Sequence, residues 1–175
     1  NFVGNSAGGY LAQRMAMEHG ERVASIALYG STPGLRNSGA KGWLPQIAKK
    51  GLRGFFAETI ADRMPVDRCD PELVEWYLDM LGSNDPDYIG KFVSLMSDNE
   101  WSSDLHLIRC PTLLVIPGGG QVSPVHAYDE MRKRIPDVTV NVYEDAPHTV
   151  CDFMPDRCVD DLLGFLDMIA NRRPD

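Results

Sequence analysis

The sequence lacks the features that mark membrane, secreted and nucleic-acid-binding proteins. Its longest clean aliphatic run is Leu113–Ile116, far too short to span a bilayer. No basic segment followed by a long apolar segment opens the chain, so we expect no signal peptide. Basic residues are few, 17 against 25 acidic ones, and the net charge of −8 disfavours binding to a nucleic-acid backbone. We therefore expect no membrane partner and no nucleic-acid partner.

The spacing of the cysteines excludes the usual thiol motifs. The chain has no CxxC pair, which leaves little support for a metal site or a redox motif. With no secretion signal in 175 residues, reduced thiols and a cytoplasmic location are expected. What is present is ordinary: 43% apolar and 24% charged residues are typical of one soluble globular domain. The four cysteines are Cys69, Cys110, Cys151 and Cys158.

Strand and helix patterns alternate at both ends of the chain. A short strand at Phe2-Val3 is followed by a helical pattern that ends at Gly20, and then by the apolar run Val23–Tyr29. This order predicts a βαβ unit whose second strand is buried on both faces. The alternation resumes later, with predicted strands at 112–116 and 138–143 and predicted helices at about 123–135 and 159–169.

The segment between these two parts has helix signals and no strand signal. Asp70-Pro71 and Asp85-Pro86 each place an N-cap aspartate before a proline at the first helical position. Apolar residues three and four positions apart follow both signals. The segment is rich in aromatic residues, which either line a substrate pocket or hold the helices together. Our candidates for the pocket are Trp43 and Trp76.

The residues Gly4-Asn5-Ser6-Ala7-Gly8 fit the pattern G-x-S-x-G between a strand and a helix. Small residues on either side of the serine let strand and helix approach closely, so the turn pushes the Ser6 hydroxyl out at the carboxyl end of the sheet. The helix that follows favours negative charge at its N-terminus. The Ala7 backbone N–H can then donate to an oxyanion.

Two other interpretations of this motif remain open. The first is a glycine-rich turn that contains a serine by chance. The second is a phosphate-binding turn at a helix N-terminus. The second has less support, because no P-loop lysine follows and the spacing G-x-G-x-x-G is absent.

His148 favours the catalytic interpretation. It lies in the loop Asp145-Ala146-Pro147-His148 between the last predicted strand and the last helix, at the same end of the sheet as the serine. A histidine there can serve as the base for Ser6, and the order serine then histidine is the hydrolase order. The other histidines fit a helix end, a linker and a helix surface, at His19, His106 and His126.

The chain resembles the carboxyl-terminal two thirds of an α/β-hydrolase, from the nucleophile elbow at Ser6 to the histidine loop at His148. Within that superfamily it is most similar to 3-oxoadipate enol-lactonase-like proteins, on helical-cap features such as Asp85-Pro86-Asp87-Tyr88. The resemblance implies an α/β fold with a mostly parallel sheet, of which the upstream strands are absent from this chain. It further implies a hydrolase core formed by 1–32 and 104–175 and a helical cap formed by 33–103.

The resemblance also exposes a missing carboxylate. The superfamily places the acid that orients the histidine after the strand at 112–116, where Gly120 stands, or after the strand at 23–29, where Gly30, Ser31 and Thr32 stand. In a serine protease, replacing this acid costs about 10⁴ in kcat. Asp129, Asp145 and Asp152 are nearby in sequence, but none has the expected position.

The chain also begins at the elbow strand. Asn1-Phe2-Val3 resembles the interior of a strand, and without upstream strands a parallel sheet would expose an edge there. We expect the partner of that edge to be either the upstream part of the same hydrolase fold or, in a homo-oligomer, another copy of the chain.

The leading prediction is a serine hydrolase that cleaves a small ester or lactone. Ser6 is the nucleophile, His148 the general base and acid, Ala7 an oxyanion donor, and no metal or organic cofactor is needed. One alternative is a carbon–carbon bond hydrolase of ring-cleavage dienoates. Another is a ligand-binding or sensor member of the superfamily, which the missing carboxylate favours. A haloalkane dehalogenase is set aside, because it needs an aspartate where Ser6 stands.

Overall fold

A computed structural model describes residues 1–36, 38–119, 122 and 125–172, with the side chains of 125–127 left undescribed. The chain divides into two compact units. The first unit combines Asn1–Pro33 with Trp101–Asp175, and the second unit is Gly34–Glu100. The assignment of 1–32 and 104–175 as a hydrolase core and of 33–103 as its cap stays a prediction.

The described residues of the first unit form a four-stranded parallel sheet in the order β1-β2-β3-β4. The register pairs Asn5 of β1 with Tyr29 of β2, and Tyr29 with Val115 of β3. The predicted α/β class with a parallel sheet is confirmed. The strands are β1 (Phe2–Asn5), β2 (Ile26–Tyr29), β3 (Thr112–Pro117) and β4 (Val138–Tyr143).

Helices of the first unit alternate with these strands. In chain order they are α1 (Ala7–Glu18), a 3₁₀ turn (Gly20–Arg22), a 3₁₀ helix (Ser102–Leu107), α5 (Val125–Arg134), α6 (Val150–Phe153) and α7 (Pro155–Ala170). The prediction that β2 begins at Val23 is wrong. The 3₁₀ turn uses the Val23 N–H for a bond to Gly20 O, so the ladder starts at Ile26.

The central strands carry the core of the first unit. Every residue of β2 and of β3 is buried, as the unbroken apolar runs predict for strands covered on both faces. The strand β4 is less buried and lies at the edge of the sheet, in line with its alternating pattern. One core cluster joins the strands to α7 through Leu113, Val115, Tyr143, Val150, Cys158 and Phe165.

The described part of the second unit is helical. Asp70 Oδ1 accepts from Glu72 N, and Asp85 Oδ1 accepts from Asp87 N and Tyr88 N, so both predicted helix starts are confirmed. The unit has its own core of Ile47, Leu52 and Phe55. Its elements are α2 (Trp43–Glu58), α3 (Pro71–Gly82), α4 (Pro86–Asp98) and 3₁₀ turns at Ala40–Gly42 and Ile60–Asp62.

None of the helices in the described part of the chain has the length and apolar character needed to cross a membrane.

Candidate active site

Ser6 lies in the turn between β1 and α1 in a backbone conformation that L-residues rarely adopt. Its φ is 46° and its ψ is −111°, and it is the one described residue other than glycine with a positive φ. It occupies the N-cap position, but its side chain makes no capping bond to the helix. The hydroxyl is therefore available for a contact outside the helix.

Three backbone and side-chain bonds hold this strained residue. Ser6 N donates to Tyr29 O at 2.9 Å, and Ser6 O accepts from Gly9 N at 3.0 Å. Ser6 O also accepts from the Ser31 hydroxyl at 2.8 Å. The segment that follows β2 thus supports the turn that follows β1, as the register of the two parallel strands requires.

The glycines of the motif allow a close approach of strand, helix and loop. A Cβ on Gly4 would lie 2.5 Å from the backbone of Gly8 and Gly9. A Cβ on Gly9 would lie 1.9 Å from Ser31 Oγ. Such distances are far inside van der Waals contact, so a side chain at either position would force its neighbours to shift.

The loop that carries His148 is fixed against the loop that follows β3. Gly118 N donates to Tyr143 O at 2.9 Å, and Gly119 N donates to Ala146 O at 3.0 Å. A Cβ on Gly118 would lie 2.7 Å from Glu144 O. Since parallel strands end at one edge of the sheet, this pairing brings the histidine loop to the edge that also holds Ser6.

The two predicted catalytic residues meet at this edge. Ser6 Oγ and His148 Nε2 are 3.0 Å apart, although 142 residues separate them in sequence. His148 is 7% exposed, so the imidazole is largely shielded from water. When Nε2 carries no proton, it accepts the hydroxyl hydrogen, and this is the geometry of a serine with its general base.

Ala7, the predicted oxyanion donor, is the first residue of α1. The N–H groups of the first turn find no acceptor within their own helix. They also lie at the positive end of the helix dipole. Both the N–H groups and the helix dipole would stabilise a negatively charged oxygen formed next to Ser6.

The predicted pocket residues lie in the second unit. Trp43 packs against Phe55 with ring centroids 6.1 Å apart, and the Arg63 guanidinium lies 5.7 Å from its ring. Trp76 is 51% exposed. These contacts give Trp43 a packing role inside its own unit. The role of both residues in a substrate pocket stays a prediction.

Of the two expected positions for the orienting acid, one lies outside the described residues and one contains no acid. Gly120 is outside the described part of the chain. After β2, the position that a Cβ would take at Gly30 lies 3.5 Å from His148 Nδ1, so this segment does border the imidazole. Asp129, one of the acids near in sequence, forms an ion pair with Arg132 at 3.8 Å.

Burial dominates the electrostatics of α6, the short helix after His148. It raises the pKa of the Asp152 carboxyl, and it raises the pKa of the Cys151 thiol against an opposing hydrogen bond from the Asn5 side chain. Asn5 is the residue before Ser6. The elbow is therefore linked to α6 as well as to His148.

Ser31 and Gly30 are the contacts that sequence reasoning missed. In the sequence, residues 30–32 stand out only because they include no acid. Because β2 pairs with β1 in parallel, the residues after each strand must be neighbours. That rule, applied to Tyr29 and Asn5, is the signal that could have identified Ser31. In the part of the chain that the structure describes, no group of three or more metal-ligating side chains exists.

Comparison with known proteins gives relatives of moderate similarity. No protein-family model matches the sequence. The chain is 25% identical over 174 residues to a pimeloyl-[acyl-carrier protein] methyl ester esterase of Aromatoleum aromaticum, covering 89% of this chain and 69% of that protein. It is 26% identical over 185 residues to a non-heme haloperoxidase of Rhodococcus erythropolis, covering 94% and 66%.

The fold also matches solved structures. The enol-lactonase from Burkholderia xenovorans superposes with a TM-score of 0.86 at 17% identity, covering 95% of this chain and 65% of that one. At this identity the likeness shows the fold alone. The chain spans about two thirds of the length of each of these proteins.

Proposed function

Since the chain belongs to the α/β-hydrolase superfamily, we propose that it carries the nucleophile and the general base of a serine hydrolase for small esters or lactones. The observation that carries the proposal is the 3.0 Å contact between Ser6 Oγ and His148 Nε2. The strained turn and its support from Ser31 add to it, because strain is retained at a turn only where the surroundings hold it.

The proposed reaction has two steps. Ser6 Oγ attacks the carbonyl carbon while His148 Nε2 takes the hydroxyl proton and passes it to the leaving oxygen, which gives an acyl-enzyme. Water then attacks the acyl carbon, His148 takes its proton, and the Ser6 oxygen leaves with that proton as the acid product departs. The Ala7 N–H stabilises the oxyanion in both steps. Neither step needs a metal or an organic cofactor.

The substrate class is supported by the relatives. One of them, 25% identical to this chain, is named as a methyl ester esterase. Esters and lactones share the carbonyl carbon and leaving oxygen that this chemistry needs. We propose a small molecule of this class as the partner and the cytoplasm as the location.

A second candidate is a ligand-binding member of the superfamily with weak hydrolytic activity. The observation that favours it is the residue sequence at the expected acid positions, Gly30-Ser31-Thr32 and Gly120. Without an acid, the imidazolium formed in the first step loses a stabilising charge. Turnover decides between the two candidates.

The experiment measures hydrolysis of an aryl acetate and of a γ-lactone by the full chain and by three variants. Ser6→Ala and His148→Gln are expected to lose about 10³-fold or more in kcat/KM. The matched control is His106→Gln, since His106 is exposed and contacts Ser103 O outside the site, and it is expected to retain full activity. Turnover in the parent that survives Ser6→Ala would overturn the proposal. Tight binding without turnover would support the second candidate.

A further inference from the structure

A buried glutamine on the helix that follows Ser6 contacts both chain segments that cross between the units. Gln13 lies in α1 and has no solvent exposure. Its Nε2 donates to Gly9 O at 3.2 Å and to Thr32 O at 3.1 Å. Its Oε1 accepts from the Trp101 indole Nε1 at 3.0 Å. Every hydrogen-bonding direction of the amide group except one acceptor lone pair is thus in use.

The two partners stand at the ends of the first unit's two segments. The first segment ends at Pro33, directly after Thr32, and the second begins at Trp101. Trp101 N also donates to Pro33 O at 2.9 Å. We call Thr32, Pro33 and Trp101 the crossover residues. Gln13 bonds to the outgoing and to the returning segment at once.

Neighbouring side chains of α1 contact the same residues. Tyr10 and Trp101 pack edge to face, with ring centroids 5.9 Å apart and planes at 84°. The Arg14 guanidinium lies 5.9 Å from the centre of the Trp101 ring. Residues 10, 13 and 14 share one face of the helix, because they are three and four positions apart. One face of α1 therefore contacts the crossover residues through three side chains.

The glutamine amide has a specific chemical reason to be there. Thr32 and Trp101 are 4% and 5% exposed, so the carbonyl of one and the indole N–H of the other have little access to water. An apolar side chain at position 13 would leave both without their amide partner, and a carboxylate would offer no N–H to Thr32 O. The position needs a donor and an acceptor on one rigid group.

We propose that Gln13 is a positioning residue that holds the crossover residues in a fixed register to the helix that begins at the nucleophile. The proposal rests on the proposed function insofar as it concerns Ser6. Helix α1 starts at Ala7, so a shift of α1 against the crossover residues moves the N–H groups beside Ser6. Gln13 touches no reacting atom and acts through the backbone of α1.

The test compares Gln13→Leu and Trp101→Phe, singly and combined, with Thr112→Val. Trp101→Phe keeps an aromatic ring for Tyr10, and it removes the indole N–H together with part of the indole ring system. The control removes a buried hydroxyl that donates to Cys110 O at the start of β3 and takes no part in the bonds of Gln13. Two readouts are measured on the full chain: amide hydrogen exchange, and the rate of Ser6 labelling by a fluorophosphonate.

We expect Gln13→Leu to speed exchange of the Trp101 amide about tenfold, the effect of unpairing a buried donor and acceptor, while the amides of β3 and β4 keep their rates. The labelling rate falls in both single variants, and the double variant loses no more than the worse single one, because both changes remove the same bond. The control changes neither readout.

Unchanged exchange at Trp101, or a slower labelling rate in the control as large as in Gln13→Leu, would overturn the positioning role. If the parent chain takes up no label, the proposed function fails. The exchange measurement then still tests whether Gln13 holds the crossover residues.

Discussion

Ser6 keeps an unfavourable backbone conformation because its neighbours bind both sides of the residue. The N–H is held by Tyr29 O, and the carbonyl is held by Gly9 N and the Ser31 hydroxyl. A positive φ at a non-glycine residue costs free energy and persists where the surroundings enforce it. The result is a hydroxyl that makes no helix cap and lies 3.0 Å from an imidazole nitrogen.

The Ser31 bond gives the first prediction. Ser31→Ala removes the hydroxyl that holds Ser6 O, and we expect a loss of about 1 kcal/mol in the free energy of unfolding together with slower labelling of Ser6 by a fluorophosphonate. Ser25→Ala is the matched control, because Ser25 is equally buried and its hydroxyl bonds to Asn1 Oδ1. Equal labelling rates in the two variants would show that Ser31 does not support the elbow.

Asp152 gives a prediction about pH. Burial raises the pKa of its carboxyl above the ordinary value of 3.8, so the folded chain binds this proton more tightly than the unfolded chain. The free energy of unfolding therefore falls as pH rises from that ordinary value through the raised one.

We expect Asp152→Asn to unfold at a higher temperature than the parent at pH 7 and at nearly the same temperature near pH 3, where the parent carboxyl is protonated in both states. Thermal unfolding at the two pH values measures the difference. Asp160→Asn, an exposed position of α7, serves as the control. A stabilisation by Asp152→Asn that is equal at both pH values would contradict the assigned cause.

At the scale of elements, the site is a consequence of strand direction. β1, β2 and β4 run parallel to their neighbours, so the residues that follow them collect at one edge of the sheet. The helix α1 can start directly after Ser6 only because Gly4 and Gly9 leave room for its first turn. Strand, turn and helix together form one rigid element.

The glycines of this element give a third prediction. Gly4→Ala would bring its Cβ to 2.5 Å from the backbone of Gly8 and Gly9. We expect the free energy of unfolding to fall by about 1–3 kcal/mol, which is typical of overpacking. Gly8→Ala is the matched control, since a Cβ there meets nothing within 4 Å. Because alanine favours a helix over glycine, we expect this variant to gain about 0.5–1 kcal/mol in the free energy of unfolding. Chemical denaturation measures both. Similar stabilities of the two variants would contradict the close approach of β1 and α1.

Sequence patterns predicted the elements better than their contacts. The N-cap aspartates Asp70 and Asp85 and the strand at 138–143 are as expected, because each depends on residues close in sequence. The start of β2 was misplaced, since a 3₁₀ bond between Val23 and Gly20 competes with the strand. The bonds of Ser31 and Gln13 join distant segments, and no local pattern records them.

At the scale of the molecule, the described residues include two core clusters that share no residue, one in each unit. The first unit packs its strands against α7 around Phe165, and the second packs α2 around Phe55. The lack of strand signals between 33 and 103 is the reason for predicting a helical cap there, and its role as a cap stays a prediction. The pocket that Trp43 and Trp76 were expected to line depends on long-range geometry, and it stays a prediction.

Separate cores give the fourth prediction. Phe55 and Phe165 are each 4% exposed, so Phe55→Ala and Phe165→Ala remove the same buried ring, at a cost of about 3–5 kcal/mol each. We expect Phe55→Ala to speed hydrogen exchange in α2 and α3 while β2 and β3 stay protected, and Phe165→Ala to do the reverse. Equal acceleration throughout the chain in both variants would show a single cooperative unit.

The site of covalent labelling tests most directly whether Ser6 is the nucleophile and His148 its base. The full chain is treated with a fluorophosphonate, digested and mapped by mass spectrometry. We expect one adduct, on Ser6, that is absent in Ser6→Ala and forms far more slowly in His148→Gln. An unlabelled Ser6, or an adduct at Ser6 whose rate does not depend on His148, would contradict these two roles.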